Sequence, residues 1–291
     1  MTIRRTLIHA LDRPGGRSLL AGLTTWLASR QTGQDVSVFY DDVWLHRLGS
    51  SYIADSPAYP YFADTFTNWD LDLRSIRADA DDWWFHVYKP RAGDIILDVG
   101  AGIGSDTLVF SRSVGASGKV LAIEAHPSTY RCLIKLCEWN NLANTVCSQC
   151  AVTDTRRTVY IEDSSDPQAS TVGFLADSTR SQEVVRGASL DEICGEHGFG
   201  SINFLKINIE GGERFAMQGM SNVIQKTDYI CFACHDFRAD RGDGEHFRTR
   251  ELVLDFLRSH DFRITMRRDD PRPWARDHVH GIRRGAEGRT T

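Results

Sequence analysis

A glycine-rich turn follows a short apolar run near the middle of the chain. The run Ile95–Val99 is continuous and apolar, as buried parallel strands are, and glycines follow it at positions 100, 102 and 104. Glycines at a strand-to-helix turn let the backbone come close to a ligand. Because Ser105 stands where the dinucleotide pattern G-x-G-x-x-G needs its last glycine, the spacing disfavours a nicotinamide cofactor.

Two acidic residues flank this turn in a way that suggests the ligand. Asp98 precedes the first glycine and can attract an ammonium group, while the loop amides face a carboxylate. Glu124 ends the next apolar run, where its carboxylate can accept hydrogen bonds from both ribose hydroxyls. A nucleoside joined to an amino acid is S-adenosylmethionine, which we predict as the cofactor. The structural alternative is a glycine-rich turn beside a solvated acid.

Polar residues also follow two later apolar runs, and their types suit proton transfer. A hydroxyl that receives a methyl group must lose its proton, and the neutral imidazole of His235 is suited to accept it, with Asp236 to orient the ring. Asn208 and Glu210 follow the other run. As an alternative, Asn208, Glu210 and His235 together could bind a divalent cation such as Mg²⁺. A histidine bonded only to backbone is the structural alternative for His235.

Lys206 lies inside the otherwise apolar run that precedes Asn208. A buried lysine without a partner would be costly, so we interpret Lys206 as structural and expect it to pair with a carboxylate. Asp191, Glu210 and Glu213 are the candidate partners.

The elements that must position these residues alternate between apolar strands and amphipathic helices from residue 94 onward. This alternation predicts an α/β fold with a doubly wound, mostly parallel sheet of seven strands. Ligands of such sheets bind beyond the carboxyl ends of the strands, which narrows the search to residues 98–104, 124–127, 149–154, 208–213 and 235–237. The C-x-x-C pairs Cys147/Cys150 and Cys231/Cys234 fall within predicted strands, so their members point to opposite faces and are interpreted as buried apolar residues.

The N-terminal part of the chain differs in character. Residues 17–30 predict a helix that docks through Leu19, Leu20, Leu23, Trp26 and Leu27, and residues 36–90 are rich in aromatic side chains. We divide the chain into an N-terminal helix and aromatic-rich cap (1–88), a cofactor-binding domain (89–284) and a frayed tail (285–291). The cap either packs on the main domain or lines an acceptor pocket together with the loop 268–277.

Composition excludes several classes of protein. The 291 residues carry 34 Lys and Arg against 39 Asp and Glu, so no large positive field is available for nucleic acid. The apolar run 19–28 is about half a membrane span, which predicts no membrane insertion. Seven cysteines form an odd set that favours a reducing cytoplasm. We therefore expect a cytoplasmic protein with a small-molecule partner, and formation of a homo-oligomer stays open.

From about Tyr88 to Arg284 the chain resembles the FkbM-type S-adenosylmethionine-dependent methyltransferases. The resemblance rests on four ordered segments, residues 88–104, 124–127, 189–192 and 205–213. It implies a class I, Rossmann-like fold and methylation of a hydroxyl, often on a sugar or a polyketide-like natural product. Two positions depart from the family: Asn208 stands where Asp is common, and Cys234 precedes His235 where a Glu two residues before the His is more usual.

The predicted function is therefore S-adenosylmethionine-dependent O-methylation of a small molecule. The alternatives are a catalytically decayed nucleoside-binding protein and an NAD-dependent oxidoreductase. The predicted catalytic residues are His235, Glu210, Asn208 and Asp236. The predicted cofactor contacts are Tyr88, Asp98, Gly100, Ala101, Gly102, Gly104, Asp106, Thr107, Glu124, Ala125, His126, Gln149, Cys150 and Ala151.

Overall fold

The computed structural model describes residues 8, 10–55, 72–162, 172–173 and 182–286, with only the backbone described at 162, 172 and 173. The N-terminal elements are α1 (Arg17–Thr32), β1 (Val36–Asp41), β2 (Val43–Leu48), β3 (Ser51–Ala54) and α2 (Leu73–Trp83). The three strands form an antiparallel meander. It packs on α1 and, from the main domain, on the helix 127–139.

The face through which α1 docks differs from the predicted one. Leu20, Thr24 and Ala28 are buried, whereas Leu19 and Trp26 are more than half exposed. The hydroxyl of Thr25 accepts a hydrogen bond from the amide of Val38 at 2.8 Å. This polar contact with β1 helps to fix the rotation of the helix, so the apolar stripe in the sequence did not identify the buried face.

The remaining elements alternate between strands and helices as predicted, except between residues 145 and 188, where the described elements are all strands. They are β4 (Ile95–Val99), α3 (Ser105–Val114), β5 (Lys119–Glu124), α4 (Pro127–Trp139), β6 (Thr145–Gln149), β7 (Ala151–Val152), β8 (Arg157–Glu162), β9 (Val172–Gly173), β10 (Gln182–Ala188), α5 (Leu190–His197), β11 (Ile202–Ile207), α6 (Glu213–Gln218), β12 (Thr227–Ala233), α7 (Asp236–Asp240), α8 (Arg250–Ser259), β13 (Phe262–Thr265), α9 (Pro273–Asp277) and β14 (His278–Arg283).

The main sheet has seven strands in the order β13-β14-β12-β11-β4-β5-β6. All its pairings are parallel except those of β14, which runs antiparallel to both of its neighbours. The chain builds the sheet outward from β4 to β6 and then returns to place β11 on the other side of β4. The predicted doubly wound, mostly parallel sheet of seven strands is confirmed.

A second sheet has the strand order β7-β10-β8-β9 and arises from a break in a predicted strand. The apolar run that predicts one strand from Thr145 to Val152 divides after Gln149, so that β6 joins the main sheet and β7 joins the second one. Within this second sheet, β8 and β10 pair antiparallel.

The main sheet separates two apolar layers because its side chains alternate between faces. Leu205 and Ile230 lie in the layer that includes α5, α6 and α8. Phe204 and Tyr229 lie in the opposite layer, which residues 80–88 and α3 cover. Cys231 belongs to this second layer and Cys234 to the first, which confirms that this C-x-x-C pair points to opposite faces. Among the described helices, none combines the length and apolar character needed to span a bilayer.

Candidate active site

The glycine loop crosses the tips of β4 and β5 in a conformation that requires glycine. Gly100 has φ of 75°, and a Cβ there would lie 1.9 Å from the carbonyl oxygen of Asn208. The amides of Gly100 and Ala101 both donate to the carbonyl of Ile123, at 2.9 and 3.0 Å. Gly104 begins α3 in the left-handed region, with φ of 96°. The loop therefore lies flat over the sheet edge, as a ligand-cradling loop must.

Glu124 holds this loop in place. Its Oε2 accepts from the amide of Gly102 at 2.9 Å, and its Oε1 accepts from the amide of His126 at 2.8 Å. Burial raises the pKa of Glu124, while these two backbone donors oppose the shift. Each carboxylate oxygen has a second lone pair, so Glu124 can also accept from ribose hydroxyls.

A cleft opens beside Glu124 at the carboxyl ends of the central strands. It lies next to the point between β4 and β11 where the strand order reverses, the place where α/β sheets bind ligands. Its walls are Val99, Gly100, Ile123, Glu124, Ala125, His126, Cys150, Ala151, Val152, Ile161, Asn208, Ile209, Glu210, Gly212 and Phe215.

The cleft suits a nucleoside carrying a polar tail. The Oδ1 of Asn208 is buried and has no hydrogen-bond partner among the described residues, although buried polar groups are normally paired. Apolar walls from Ile123, Val152 and Phe215 suit the faces of a base. Together with the glycine loop and Glu124, these residues fit S-adenosylmethionine.

Sequence reasoning did not identify several walls of this cleft. Ile209 and Phe215 follow β11, a segment in which only polar residues were predicted to be functional. Ile161 comes from β8 of the second sheet. Nothing in the local sequence around Ile161 signals a cofactor contact, because its place depends on how the second sheet meets the first.

The structure gives Asp98 a different task from the predicted ammonium contact. Asp98 is wholly buried; its Oδ1 accepts from Lys206 at 2.8 Å and its Oδ2 from the hydroxyl of Thr107 at 2.6 Å. Lys206 also donates to the carbonyl of Gly100 at 2.7 Å. The expected partners of Lys206 were wrong, because the register that sets Lys206 beside Asp98 is a property of the sheet. Asp98, Thr107 and Lys206 support the glycine loop from below.

Asp106 sits in the first turn of α3, one quarter exposed and 3.7 Å from the Lys206 ammonium. The charges of Asp98 and Asp106 raise the pKa of Lys206 against the opposing effect of burial. Ala101 is a residue of the glycine loop, and its side chain is buried in a cluster with Ala122 and Leu133.

Two other predicted cofactor contacts lie away from the cleft. The hydroxyl of Tyr88 donates to Asp94 at 2.7 Å, and its ring stacks on Phe204. Asp94 precedes β4, so Tyr88 is anchored at the amino end of the sheet, opposite to the glycine loop. Gln149 is exposed and lines no part of the cleft, whereas Cys150 and Ala151 do. Both assignments are therefore corrected.

A charged cluster stands at the edge of the cleft. The Nε2 of His235 lies 3.1 Å from Oε1 of Glu210, and Nη1 of Arg238 donates to Oε2 of the same carboxylate at 2.7 Å. Burial alone would lower the pKa of His235, but the bond and charge of Glu210 outweigh burial and raise it. His235 and Arg238 conversely lower the pKa of Glu210 against its own burial.

Glu213 is the fourth member of this charged cluster. It is fully buried, and its Oε1 lies 3.9 Å from Nδ1 of His235. Neither atom has a hydrogen-bond partner among the described residues. Burial raises the pKa of Glu213. His235 is thus held between two glutamates, of which Glu210 faces the cleft.

Asp236 does not orient His235, although the two residues are adjacent in the sequence. Its Oδ2 accepts from the amides of Thr249 and Arg250, at 3.2 and 3.0 Å, where α8 begins. A carboxylate at a helix N-terminus is favourable because the first amides have no partner within the helix. Asp236 is therefore a helix cap, and Glu210 takes the orienting position.

The predicted cation site at Asn208, Glu210 and His235 does not fit this arrangement. Both oxygens of Glu210 already accept from His235 and Arg238. A divalent cation would have to approach the guanidinium of Arg238, which is a fixed positive charge. The electrostatics of the site therefore disfavour a metal at these residues.

The strand order, the glycine loop and the acid at the end of the second strand define a nucleoside-binding, Rossmann-like methyltransferase fold. The sequence matches the family described as the Methyltransferase FkbM domain over residues 98–264, more than half of the chain. The protein belongs to this family of S-adenosylmethionine-dependent methyltransferases. A comparison with curated protein sequences finds no significant match.

Several solved structures are similar in fold. The methyltransferase FkbM from Methylobacillus flagellatus shares 14% identity over 76% of this chain and 60% of its own, with a TM-score of 0.46. Fibrillarin from Aeropyrum pernix, solved with natively bound S-adenosyl-L-methionine, shares 13% identity over 84% and 97%, with a TM-score of 0.42. An S-adenosylmethionine-dependent O-methyltransferase from Thermotoga maritima shares 14% over 76% and 70%, with a TM-score of 0.39.

Proposed function

We propose that this methyltransferase transfers a methyl group to a hydroxyl of a small molecule, such as a sugar or a glycosylated or polyketide-like natural product. The observation that carries the proposal is the pairing of His235 with Glu210 at the edge of the cofactor cleft. Oxygen nucleophiles need a proton acceptor during methyl transfer, and this pair supplies one where the cleft opens.

The residues that would hold the cofactor surround the cleft. Glu124 would accept hydrogen bonds from the ribose hydroxyls. Cys150 and Ala151 would contact the base, and the loop around Gly100 would contact the amino acid tail. When bound, S-adenosylmethionine supplies an electrophilic methyl group on a sulfonium. The chain's own contribution is to position both reactants and to exclude water, which is a large share of such a rate enhancement.

The proton of the acceptor hydroxyl leaves through Glu210 and His235. Glu210 lines the cleft and His235 lies directly behind it. When the imidazole is neutral with its hydrogen on Nδ1, Nε2 is free to take up, across a single hydrogen bond, the proton that the carboxylate receives from the hydroxyl. Arg238 holds the other carboxylate oxygen, which fixes the direction of the pair. A net charge of −5 also suits a small acceptor better than nucleic acid.

Calorimetric titration with S-adenosylhomocysteine, followed by transfer of labelled methyl from S-adenosylmethionine to a panel of sugars, hydroxylated macrolides, amines and thiols, tests the proposal. We expect binding and turnover on at least one hydroxylated acceptor. Binding with label appearing only on amine or thiol acceptors would contradict O-methylation. Binding without transfer to any acceptor class would favour a decayed nucleoside-binding protein, and absence of binding would refute the cofactor assignment.

A further inference from the structure

A second cluster of chemically competent side chains lies inside the main sheet, apart from the His235–Glu210 pair. Cys231 on β12 is the cross-strand neighbour of His280 on β14, and His278 lies two residues before His280 on the same strand. Side chains in these positions share one face of the sheet. The three residues therefore project into the layer that residues 80–88 cover.

These side chains come close enough to share a ligand. One donor atom from each, the Cys231 sulfur and one nitrogen of each imidazole, lies within 4.8 Å of the other two. Four-coordinate zinc brings such atoms to roughly 3.5 Å of one another, so the side chains need only a small inward adjustment. Within the described part of the chain, no other group of three histidine, cysteine or acidic side chains has its donor atoms this close together.

The polar atoms of the cluster are buried without partners. His280 is completely buried, and both of its ring nitrogens lack a hydrogen-bond partner among the described residues; Nδ1 of His278 also lacks one. Natural cores rarely leave such atoms unpaired, and a bound ion is one of the few ways to satisfy them. The Cys231 thiol itself has only a weak contact, 3.9 Å from the backbone oxygen of Trp83.

The surroundings give the cluster a wall and an access route. The ring of Trp84 stacks on His278 at 5.0 Å and closes one side. The ring of His86 lies 5.2 Å from that of His280, and His86 is exposed to solvent. His86 therefore lies between the cluster and solvent, on the side from which an ion could enter.

Two cations lie near the Cys231 thiol. Burial raises the pKa of Cys231, and the charges of Lys206 and Arg267 offset only part of that rise. Each of these cations is itself neutralised, Arg267 by Asp82 and Lys206 by Asp98. Zn²⁺ bound by one thiolate and two neutral imidazoles would bring a net charge of +1 into this layer.

We propose that Cys231, His278 and His280 form a binding site for a borderline or soft transition-metal ion, with Zn²⁺ as the expected occupant. One thiolate and two imidazoles are the ligand set of zinc and copper sites, and they exclude Mg²⁺ and Ca²⁺, which take oxygen ligands. Such an ion would tie the antiparallel strand β14 to β12 and to the segment around His86. None of these three ligands takes part in the proposed methyl transfer.

Metal content tests this site directly. The 291-residue chain, without a polyhistidine tag, is stripped with a chelator, incubated with Zn²⁺, desalted and analysed by mass spectrometry. We expect about one Zn²⁺ per chain, and at least about tenfold weaker binding in Cys231→Ser and His280→Gln. Cys234→Ser is the matched control, because this equally buried cysteine lies on the opposite face, and it should bind like the parent. Absence of retained zinc in the parent, or equal binding in Cys231→Ser, would overturn the proposal.

A second measurement decides the matter if the substituted chains fail to fold. Co²⁺ is added to a chain carrying only Cys137→Ser and Cys147→Ser, which removes the more accessible thiol pair. Coordination by Cys231 produces a thiolate-to-cobalt charge-transfer band in the near ultraviolet at about one equivalent. A titration without that band would show that Cys231 binds no metal.

Discussion

The ammonium of Lys206 lies 2.8 Å from the carboxylate of Asp98, and both side chains are buried at the centre of the seven-stranded sheet. Lys206 joins this carboxylate to the carbonyl of Gly100, the first glycine of the loop. The pair therefore links the stability of the sheet to the shape of the cofactor cleft.

Removing one member of this pair should be strongly destabilising, because it leaves an uncompensated charge in the core. We expect Lys206→Met to lower the free energy of unfolding by about 3–5 kcal/mol, measured by urea denaturation. Lys206→Met combined with Asp98→Asn should recover much of that loss, since neither charge remains. The exposed Lys119→Met should stay within about 0.5 kcal/mol of the parent. A single variant as stable as the parent would show that the pair is dispensable.

Glu124 should control cofactor affinity. Glu124→Ala removes the acceptor of the Gly102 and His126 amides as well as any ribose contact, and each hydrogen bond to a charged group contributes about 1.5–3 kcal/mol. We expect at least about tenfold weaker binding of S-adenosylhomocysteine by calorimetry. Glu138→Ala, on the exposed side of α4, is the control. Unchanged affinity in Glu124→Ala would place the nucleoside elsewhere.

His235 should matter for turnover more than for cofactor binding. His235→Ala is expected to lower the methylation rate by about 10²-fold or more, with the affinity for S-adenosylhomocysteine retained. The solvent-exposed His197→Ala should leave both quantities unchanged. Rates close to those of the parent in His235→Ala would assign proton removal to Glu210 alone.

The His235–Glu210 contact also predicts opposite pH dependences for rate and stability. Because Glu210 raises the pKa of His235, turnover should rise with pH through a midpoint above the ordinary value of about 6.5, as the imidazole loses its proton. The stabilisation from the charged pair is complete below the unfolded pKa and is lost as pH rises through the folded one.

Glu210→Gln tests this pH dependence, because it keeps the shape of the side chain and removes the charge. We expect a lower rate, since the amide cannot receive the proton, and a midpoint of the remaining rate profile at lower pH. Chemical denaturation across the same pH range measures how the free energy of unfolding changes with pH. A midpoint that stays in place in Glu210→Gln would show that Glu210 does not set the pKa of His235.

The sequence was sufficient for features that depend on local backbone geometry. The glycines at 100 and 104 adopt positive φ and occupy the predicted strand-to-helix turn. The apolar strands and the helices between them also lie where their periodicity placed them, because each is encoded within a short segment.

Features that depend on strand register or on contacts between distant segments could not be predicted from the sequence. Lys206 pairs with Asp98 only because β11 lies beside β4. Asp236 follows His235 in the chain, yet its side chain turns to the start of α8 while Glu210, from another strand end, meets the imidazole. Neighbours along the chain and neighbours in space differ at each of these residues.

The break after Gln149 has an evolutionary consequence. Ala151, Val152 and Ile161 belong to the smaller sheet, yet they form part of the wall of the cleft. Substitutions there can reshape that wall while the register of the seven strands is kept. Ligand selectivity can therefore diverge between relatives through changes in the smaller sheet, while the seven-stranded sheet is unchanged.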